Sequence, residues 1–336
     1  MDLTLQTPEI VAKSYNRIKQ YIHKTPILYS DTLNIMLGNN VYFKMDALQK
    51  TGAFKVRGVL NHLLALKEIG QIPQKIVAYS TGNHALAMAY AAKLFNIHAR
   101  VYLPENVSPI KKRIANYYGA EVIEVLTRGE AEKLSKSDES RGFYYMHPSD
   151  SDETIAGAGT MCYEALLYMH EHDIPKPDAI FAPCGGGGLL SGTYLAKELL
   201  SPTTQLIGVE PKNAADAFNS IQTNKIYKFT KSPDTIADGL RALSISKRTL
   251  SYLKKLDDFY LVEEEDIYYW TAWLIQMMKV TCEPSSAICI AAAVEWLKKN
   301  NPGKNILILV SGGNIDPSFY TDLWENDSLE KIPKVR

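Results

Sequence analysis

A chain of 336 residues, 46% of them hydrophobic, is long enough for a large core and for two domains. Its 37 basic and 37 acidic residues cancel, so there is no electrostatic case for a nucleic-acid partner or an anionic membrane surface. Residues 1–20 lack the apolar core of a secretory signal, and no run of about 18 apolar residues occurs, so a soluble cytoplasmic protein is expected.

Residues 41–45 predict a strand. The run Gln49-Lys50-Thr51-Gly52-Ala53-Phe54-Lys55-Val56-Arg57-Gly58 follows, and it places Lys55 between two apolar residues and two flanking glycines, an odd setting for a solvated lysine. Residues 76–79 predict a second strand, then a turn at Ser80-Thr81-Gly82-Asn83-His84 and a helix rich in alanine from Ala85 to Ala92. Next come strand 100–103, helix 110–118 and strand 121–125, and the charged stretch 130–141 predicts a solvated helix rather than a binding arm. Strand 179–183 runs into Gly185-Gly186-Gly187-Gly188 and a helix over 189–200. Strands 205–210 and 306–310 complete the pattern, and the last ends on Ser311-Gly312-Gly313-Asn314. The polar tail beyond Phe319 reads as peripheral. Cys162, Cys184, Cys282 and Cys289 share no CxxC spacing and read as buried free thiols of a reducing compartment.

Strands alternating with helices predict an α/β fold with largely parallel sheets, and ligands in such sheets sit at the carboxyl ends of strands. Thr81, Gly185, Glu210 and Ser311 all lie at or just past such ends. Four successive glycines before a helix leave backbone N–H groups open to an anion at the helix N-terminus. The dinucleotide pattern fails because Leu190 stands at the third glycine place, and the nucleoside-triphosphate loop fails because Thr193 stands where lysine is required. A reactive lysine, a phosphate cradle and a hydroxyl for a ring nitrogen are the parts that hold pyridoxal phosphate.

On these motifs, with Ile155-Ala156-Gly157, Thr235-Ile236-Ala237-Asp238-Gly239 and Glu283-Pro284, the chain resembles the serine racemase and serine/threonine dehydratase group of fold type II pyridoxal phosphate enzymes. The similarity spans about residues 44–316. The resemblance implies two open, twisted, mostly parallel sheets flanked by helices, as in the tryptophan synthase β subunit. It implies a large cofactor domain, residues 1–73 with 149–336, and a small mobile domain, residues 74–148. Lys55 would be the Schiff-base lysine, and Phe54, Asn83, Gly185, Gly186, Gly187, Gly188, Leu189, Gly239, Glu283 and Ser311 would bind the cofactor. Ser80, Thr81, Asn83 and His84 would grip the substrate carboxylate. Glu210, Ala214 and Asp216 match a structural divalent-cation site suited to magnesium or calcium. A homodimer is also implied.

The implied activity is β-elimination of a hydroxy amino acid, with L-threonine or L-serine giving 2-oxobutyrate or pyruvate plus ammonia. A serine rather than a carboxylate at the ring nitrogen favours elimination over transamination. Racemisation needs an acid on the opposite face of Cα. Thr81 has a hydroxyl for it, but its methyl group crowds the site and restricts χ1. Serine racemase activity, action on a modified amino acid and a non-catalytic binding protein are the alternatives. Three departures from the family pattern, Leu86, Ser149 and Ala158, are expected near substrate or cofactor. The chain leaves no room for the C-terminal regulatory domain of biosynthetic threonine dehydratases, so isoleucine feedback is not expected.

Overall fold

The computed structural model describes residues 5–80, 82–104, 109–326 and 328–333. In chain order its strands are β1 (Ile27–Leu28), β2 (Asn40–Met45), β3 (Lys75–Tyr79), β4 (His98–Pro104) and β5 (Glu121–Val125). They continue with β6 (Tyr144–Tyr145), β7 (Ala179–Pro183), β8 (Gln205–Pro211), β9 (Asp258–Val262) and β10 (Asn305–Val310). Among the described residues these form a six-stranded sheet in the order β1-β2-β10-β7-β8-β9 and a four-stranded sheet in the order β5-β4-β3-β6. Every pairing is parallel except β1 with β2. The two mostly parallel sheets match the expectation. The short strands β1, β6 and β9 were not legible, because two-residue strands carry no periodicity and β9 is only half-buried.

β10 lies inside the larger sheet, and its side chains alternate between two cores. Ile306, Ile308 and Val310 join the cluster under the helices Glu264–Met278 and Pro284–Lys298. Leu307 and Leu309 join the cluster under Asp152–Glu171 and Gly188–Leu200. Burial on both faces explains the continuous apolar run that marks this strand in the sequence. The smaller sheet shares its core with Val56, Val59, Leu60 and Leu63 of the helix Lys55–Glu68, and the same helix packs against Asp152–Glu171, which covers the larger sheet.

Three helices meet backbone to backbone behind the strand ends. A Cβ on Gly157 would come within 2.7 Å of the Arg57 carbonyl oxygen, and one on Gly192 within 2.3 Å of the Ile155 carbonyl oxygen. The Ile155-Ala156-Gly157 motif is therefore a packing motif. It fixes the Lys55 helix against the glycine-led helix at a distance no larger residue permits.

A wholly buried ionic network lies beside this contact. Arg57 donates from Nε to Asp46 Oδ2 at 2.6 Å and from Nη2 to Asp46 Oδ1 at 2.8 Å. Glu164 accepts from Arg57 Nη2 at 3.2 Å and from Lys44 Nζ at 2.5 Å. Thr25 donates its hydroxyl to Asp46 at 2.7 Å. Two cations and two anions balance, which is the condition under which buried charges persist. Among the described residues no helix is long and apolar enough to cross a membrane.

Candidate active site

A cavity of about 250 Å³ opens at the carboxyl ends of both sheets. Phe54, Lys55, Ser80, Asn83, His84, Gly185 to Leu189, Gly239, Glu283 and Ser311 all line it. Residues more than 250 positions apart in sequence thus converge on one space. Thr81 lies outside the described residues.

The Lys55 loop is laced to the loop after β10. Phe54 N donates to the Ser311 carbonyl at 2.8 Å, Gly313 N to the Gly52 carbonyl at 2.9 Å, and Asn314 Nδ2 to the Thr51 carbonyl at 2.8 Å. Gly52 has φ +70°, a conformation glycine adopts without strain. These bonds place Lys55 at the first position of its helix, half-buried, with Nζ 3.0 Å from the Pro148 carbonyl and 5.0 Å from the Phe54 ring centroid. Burial, and then the positive charge of Arg128, lower its pKa from 10.5 to about 8, against the opposing pull of Glu283. With that pKa an appreciable fraction of the amine is neutral near physiological pH, far more than for an ordinary lysine, and the neutral form is a nucleophile and a base.

The glycine loop opens the helix Gly188–Leu200, with Gly187 at φ +81° as its N-cap. The first-turn N–H groups have no partner within the helix and face an anion position. A Cβ on Gly186 would reach within 2.4 Å of Ser149 Oγ, and one on Gly188 within 3.0 Å of Ser149 Cβ. Ser149 therefore stands against the cradle, at its phosphate end. Leu86 and Ala158, the other departures expected near the ligand, are buried in the cores instead.

Ser311 is buried, and its Oγ lies 3.0 Å from Ser286 Oγ. Ser286 accepts from Gly312 N at 2.8 Å. The one Ser286 hydrogen has two acceptors, the Gly312 carbonyl at 2.9 Å and Ser311 Oγ, and the Ser311 hydroxyl hydrogen is left for an acceptor in the cavity when Ser286 donates to Ser311. Ser286 was not singled out in the sequence because an isolated serine in a helix carries no signal.

Asn83 donates from Nδ2 to both Glu283 oxygens, at 2.9 and 3.1 Å, and accepts from Asn314 Nδ2 at 2.9 Å. Burial pushes the Glu283 carboxyl up to about 7, although Lys111 acts against that shift. Ser80 Oγ accepts from Gly82 N at 3.0 Å and Ala85 N at 3.2 Å, which leaves its hydrogen free to donate. His84 is turned away from a carboxylate-binding role. Its Nε2 meets the Met146 carbonyl at 2.9 Å, so Nε2 carries the hydrogen. Burial lowers its pKa to about 3, so the ring is neutral and Nδ1 is a lone-pair acceptor without a partner. Only the backbone N–H of His84, at the start of the helix Asn83–Phe95, has the polarity to hold an anion.

Glu210, the penultimate residue of β8, accepts from Ala217 N at 3.1 Å and Phe218 N at 3.0 Å. Both oxygens of Asp216 are buried without a partner. Burial pushes both carboxyls up, Asp216 to about 8. Among the described residues no group of three or more His, Cys, Asp or Glu side chains gathers to hold a metal. Glu210 and Asp216 are buried carboxyls with the oxygen chemistry that a hard cation takes, and the orphaned Asp216 oxygens fit such a ligand.

The stretch 130–141, expected to be solvated, differs at its start. The helix begins at Arg128, and Arg128 and Glu132 line the cavity. No charge pattern distinguishes an inward first turn from a solvated one.

Pyridoxal phosphate fits this site. The cradle is kept free of side chains by the glycines, a lysine of lowered pKa stands beside it, and a buried hydroxyl is available for a ring nitrogen. Comparison with known proteins agrees. Residues 18–312 match the family described as pyridoxal-phosphate dependent enzyme. A serine racemase of Arabidopsis thaliana is 38% identical, over 96% of this chain and 96% of that one. An L-threo-3-hydroxyaspartate ammonia-lyase of Saccharomyces cerevisiae is 36% identical, over 93% of this chain and 96% of that one. The crystal structure of a T.th. threonine deaminase superposes with a TM-score of 0.86 at 38% identity, covering 93% of this chain and 99% of that one. With its cavity, its motifs and these likenesses in agreement, the chain belongs to the family of pyridoxal-phosphate dependent enzymes.

Proposed function

We propose that the protein deaminates a hydroxy amino acid by β-elimination, taking L-threonine or L-serine to 2-oxobutyrate or pyruvate plus ammonia. The observation that carries this reading is Lys55, half-buried at the cavity wall with a pKa lowered to about 8. Bound pyridoxal phosphate supplies an electron sink for the charge left at Cα. Lys55 Nζ takes the α-proton, since a neutral amine near pH 8 is matched to that task. The Ser80 hydroxyl and the backbone N–H groups of Asn83 and His84 hold the substrate carboxylate. The glycine-loop N–H groups hold the phosphate, and Ser311 donates to the ring nitrogen. Residues 74–148 act as a small body that closes on residues 1–73 and 149–336 to exclude water. The separate sheet formed by β3 to β6 supports that division.

A second reading, serine racemisation, is favoured by relatives that carry the name serine racemase. It requires a proton donor opposite Lys55, a role we assign to Thr81. The test is incubation of the cofactor-loaded protein with L-serine, D-serine and L-threonine in turn, measuring keto acid and both serine enantiomers. Keto acid without the opposite enantiomer supports the lyase. The opposite enantiomer at a comparable rate makes the racemase the principal activity, and neither product rejects both.

We also propose a structural divalent cation at Glu210, Asp216 and the Ala214 carbonyl. Without it, a carboxyl whose pKa is raised on folding stabilises the fold in its protonated form at low pH. That stability is lost as pH rises from the ordinary value of 3.8 through about 8. Magnesium or calcium is expected to raise the thermal midpoint at pH 8 by about 5 °C and to flatten this pH dependence. Asp216→Asn is expected to remove the increment. Equal midpoints with either cation and with a chelator would reject the site.

A further inference from the structure

The proposed reaction leaves the buried His62 without a task. His62 follows Lys55 by about two turns of the helix Lys55–Glu68, so both side chains share one face. That face runs along residues 144–154, the crossing by which the chain returns from β6 of the smaller sheet to the helix Asp152–Glu171. Lys55 Nζ donates to the Pro148 carbonyl at 3.0 Å, and Asn61 Nδ2 to the Glu153 carbonyl at 2.7 Å. A Cβ on Gly58 would come within 2.9 Å of the Thr154 carbonyl oxygen, so helix and crossing meet there backbone to backbone.

His62 is bonded to both ends of this crossing. Its Nε2 stands 2.8 Å from Tyr144 Oη on β6. Its Nδ1 stands 3.1 Å from Ser151 Oγ and 3.2 Å from Thr154 Oγ1, at the start of the helix Asp152–Glu171. Ser151 Oγ accepts from Thr154 N at 3.0 Å and donates its hydrogen to Thr154 Oγ1 at 2.8 Å. The Thr154 hydroxyl is then the donor to Nδ1, and the ring hydrogen sits on Nε2, facing Tyr144. Burial lowers the His62 pKa against the opposing pull of Glu153, so the ring is neutral near pH 7. Between the two ends the chain has few ties of its own. Proline has no N–H to anchor it, and Ser149 N and Asp150 N donate only to the neighbouring His147 Nδ1, at 3.2 and 2.8 Å.

We propose that His62 is a positioning residue for Lys55: it pins the crossing at Tyr144 and at Ser151, and so fixes the Pro148 carbonyl against Lys55 Nζ. The inference rests on the deamination reading, in which Lys55 is the base at Cα, and deepens it. His62 does not line the cavity, so it acts through the crossing and touches neither substrate nor cofactor. The Tyr144 bond is the one that reaches across from the helix of Lys55 to the smaller sheet. Met146, next but one along, is already tied to that sheet, donating from N to the Val77 carbonyl at 2.8 Å. A shift of the smaller sheet is therefore carried to the Pro148 carbonyl unless His62 holds Tyr144. Proton transfer from carbon falls off steeply when the base is displaced by even 1 Å, which makes that hold felt in the rate.

The test uses the cofactor-loaded full chain with L-serine and L-threonine. Tyr144→Phe removes the hydroxyl but keeps the ring that packs edge-on to His62 at 5.6 Å between centroids. It is expected to lower kcat by about 10-fold and to leave KM within about 2-fold. His62→Asn, whose short amide takes the place of Nδ1 and falls short of Tyr144, is expected to give the same loss. The double variant should lose no more than either single one, because all three break one bond. His62→Gln, which carries an amide N–H to the place of Nε2, is expected to recover most of the rate. Unchanged kcat in Tyr144→Phe, losses that multiply in the double variant, or a glutamine no better than the asparagine would overturn the proposal and leave His62 as a packing residue. If no hydroxy amino acid is turned over by the wild type, the deamination reading fails separately. Capture of pyridoxal phosphate by Lys55 in cofactor-free protein then decides the positioning role. Slower capture in both Tyr144→Phe and His62→Asn supports it, and capture at the wild-type rate rejects it.

Discussion

Lys55→Ala is expected to lower kcat by at least about 10⁴-fold, because one side chain serves as both the attachment point for the cofactor and the base at Cα. Borohydride reduction followed by peptide mass analysis should place the cofactor on Lys55 in the wild type and nowhere in the variant. The lowered pKa gives a second readout. Capture of pyridoxal phosphate by cofactor-free protein requires the neutral amine, so its rate should rise with pH and level off above about 8, rather than following an ordinary lysine at 10.5. After burial, the positive charge of Arg128 is what lowers it, so Arg128→Gln should move that midpoint upward. Covalent cofactor at another lysine, with kcat retained, would displace Lys55 from the mechanism.

Asp46→Ala is expected to destabilise the fold by about 3–5 kcal/mol, the usual consequence of removing one partner from a buried ion pair. Asp46 accepts two bonds from Arg57 and one from Thr25, and none of these residues reaches solvent appreciably. The variant would leave the Arg57 guanidinium fully buried with Glu164, Thr160 and Thr25 for partners and a single carboxylate among them. Burial alone would raise the Asp46 pKa, but the Arg57 charge and hydrogen bonds outweigh it and hold the carboxyl below its usual range. A depressed carboxyl contributes stability above its unfolded value and loses it as pH falls through the folded one. The wild type should therefore lose this contribution only in strong acid, and the variant should lack that part of the acid transition. Urea unfolding at neutral pH checks the magnitude, and a loss below about 1 kcal/mol would show that the network relaxes around the gap. Arg57 lies two residues beyond Lys55, so the same variant is expected to weaken the base that carries the lysine.

The sequence by itself determined the fold class and most of the cavity wall. Both depend on local signals with unambiguous physics. A continuously apolar run such as Ile306 to Val310 marks a strand buried on both faces, and four glycines before a helix mark an anion cradle. A lysine between Phe54 and Val56 is conspicuous because charge is rarely placed there without a reason. The tertiary structure decided what depends on direction. Whether His84 offers its ring or its backbone turns on the Met146 carbonyl, which lies 62 residues away. That Leu86 faces a core while Ser149 faces the cradle follows from the packing of the helix Asn83–Phe95 and from the absence of a Cβ at Gly186 and Gly188. Arg128 was hidden for the same reason. On a helix end, a charged residue looks alike in sequence whether its first turn faces water or a cavity, and only the packing of that helix beside β3 and β4 turns the guanidinium inward.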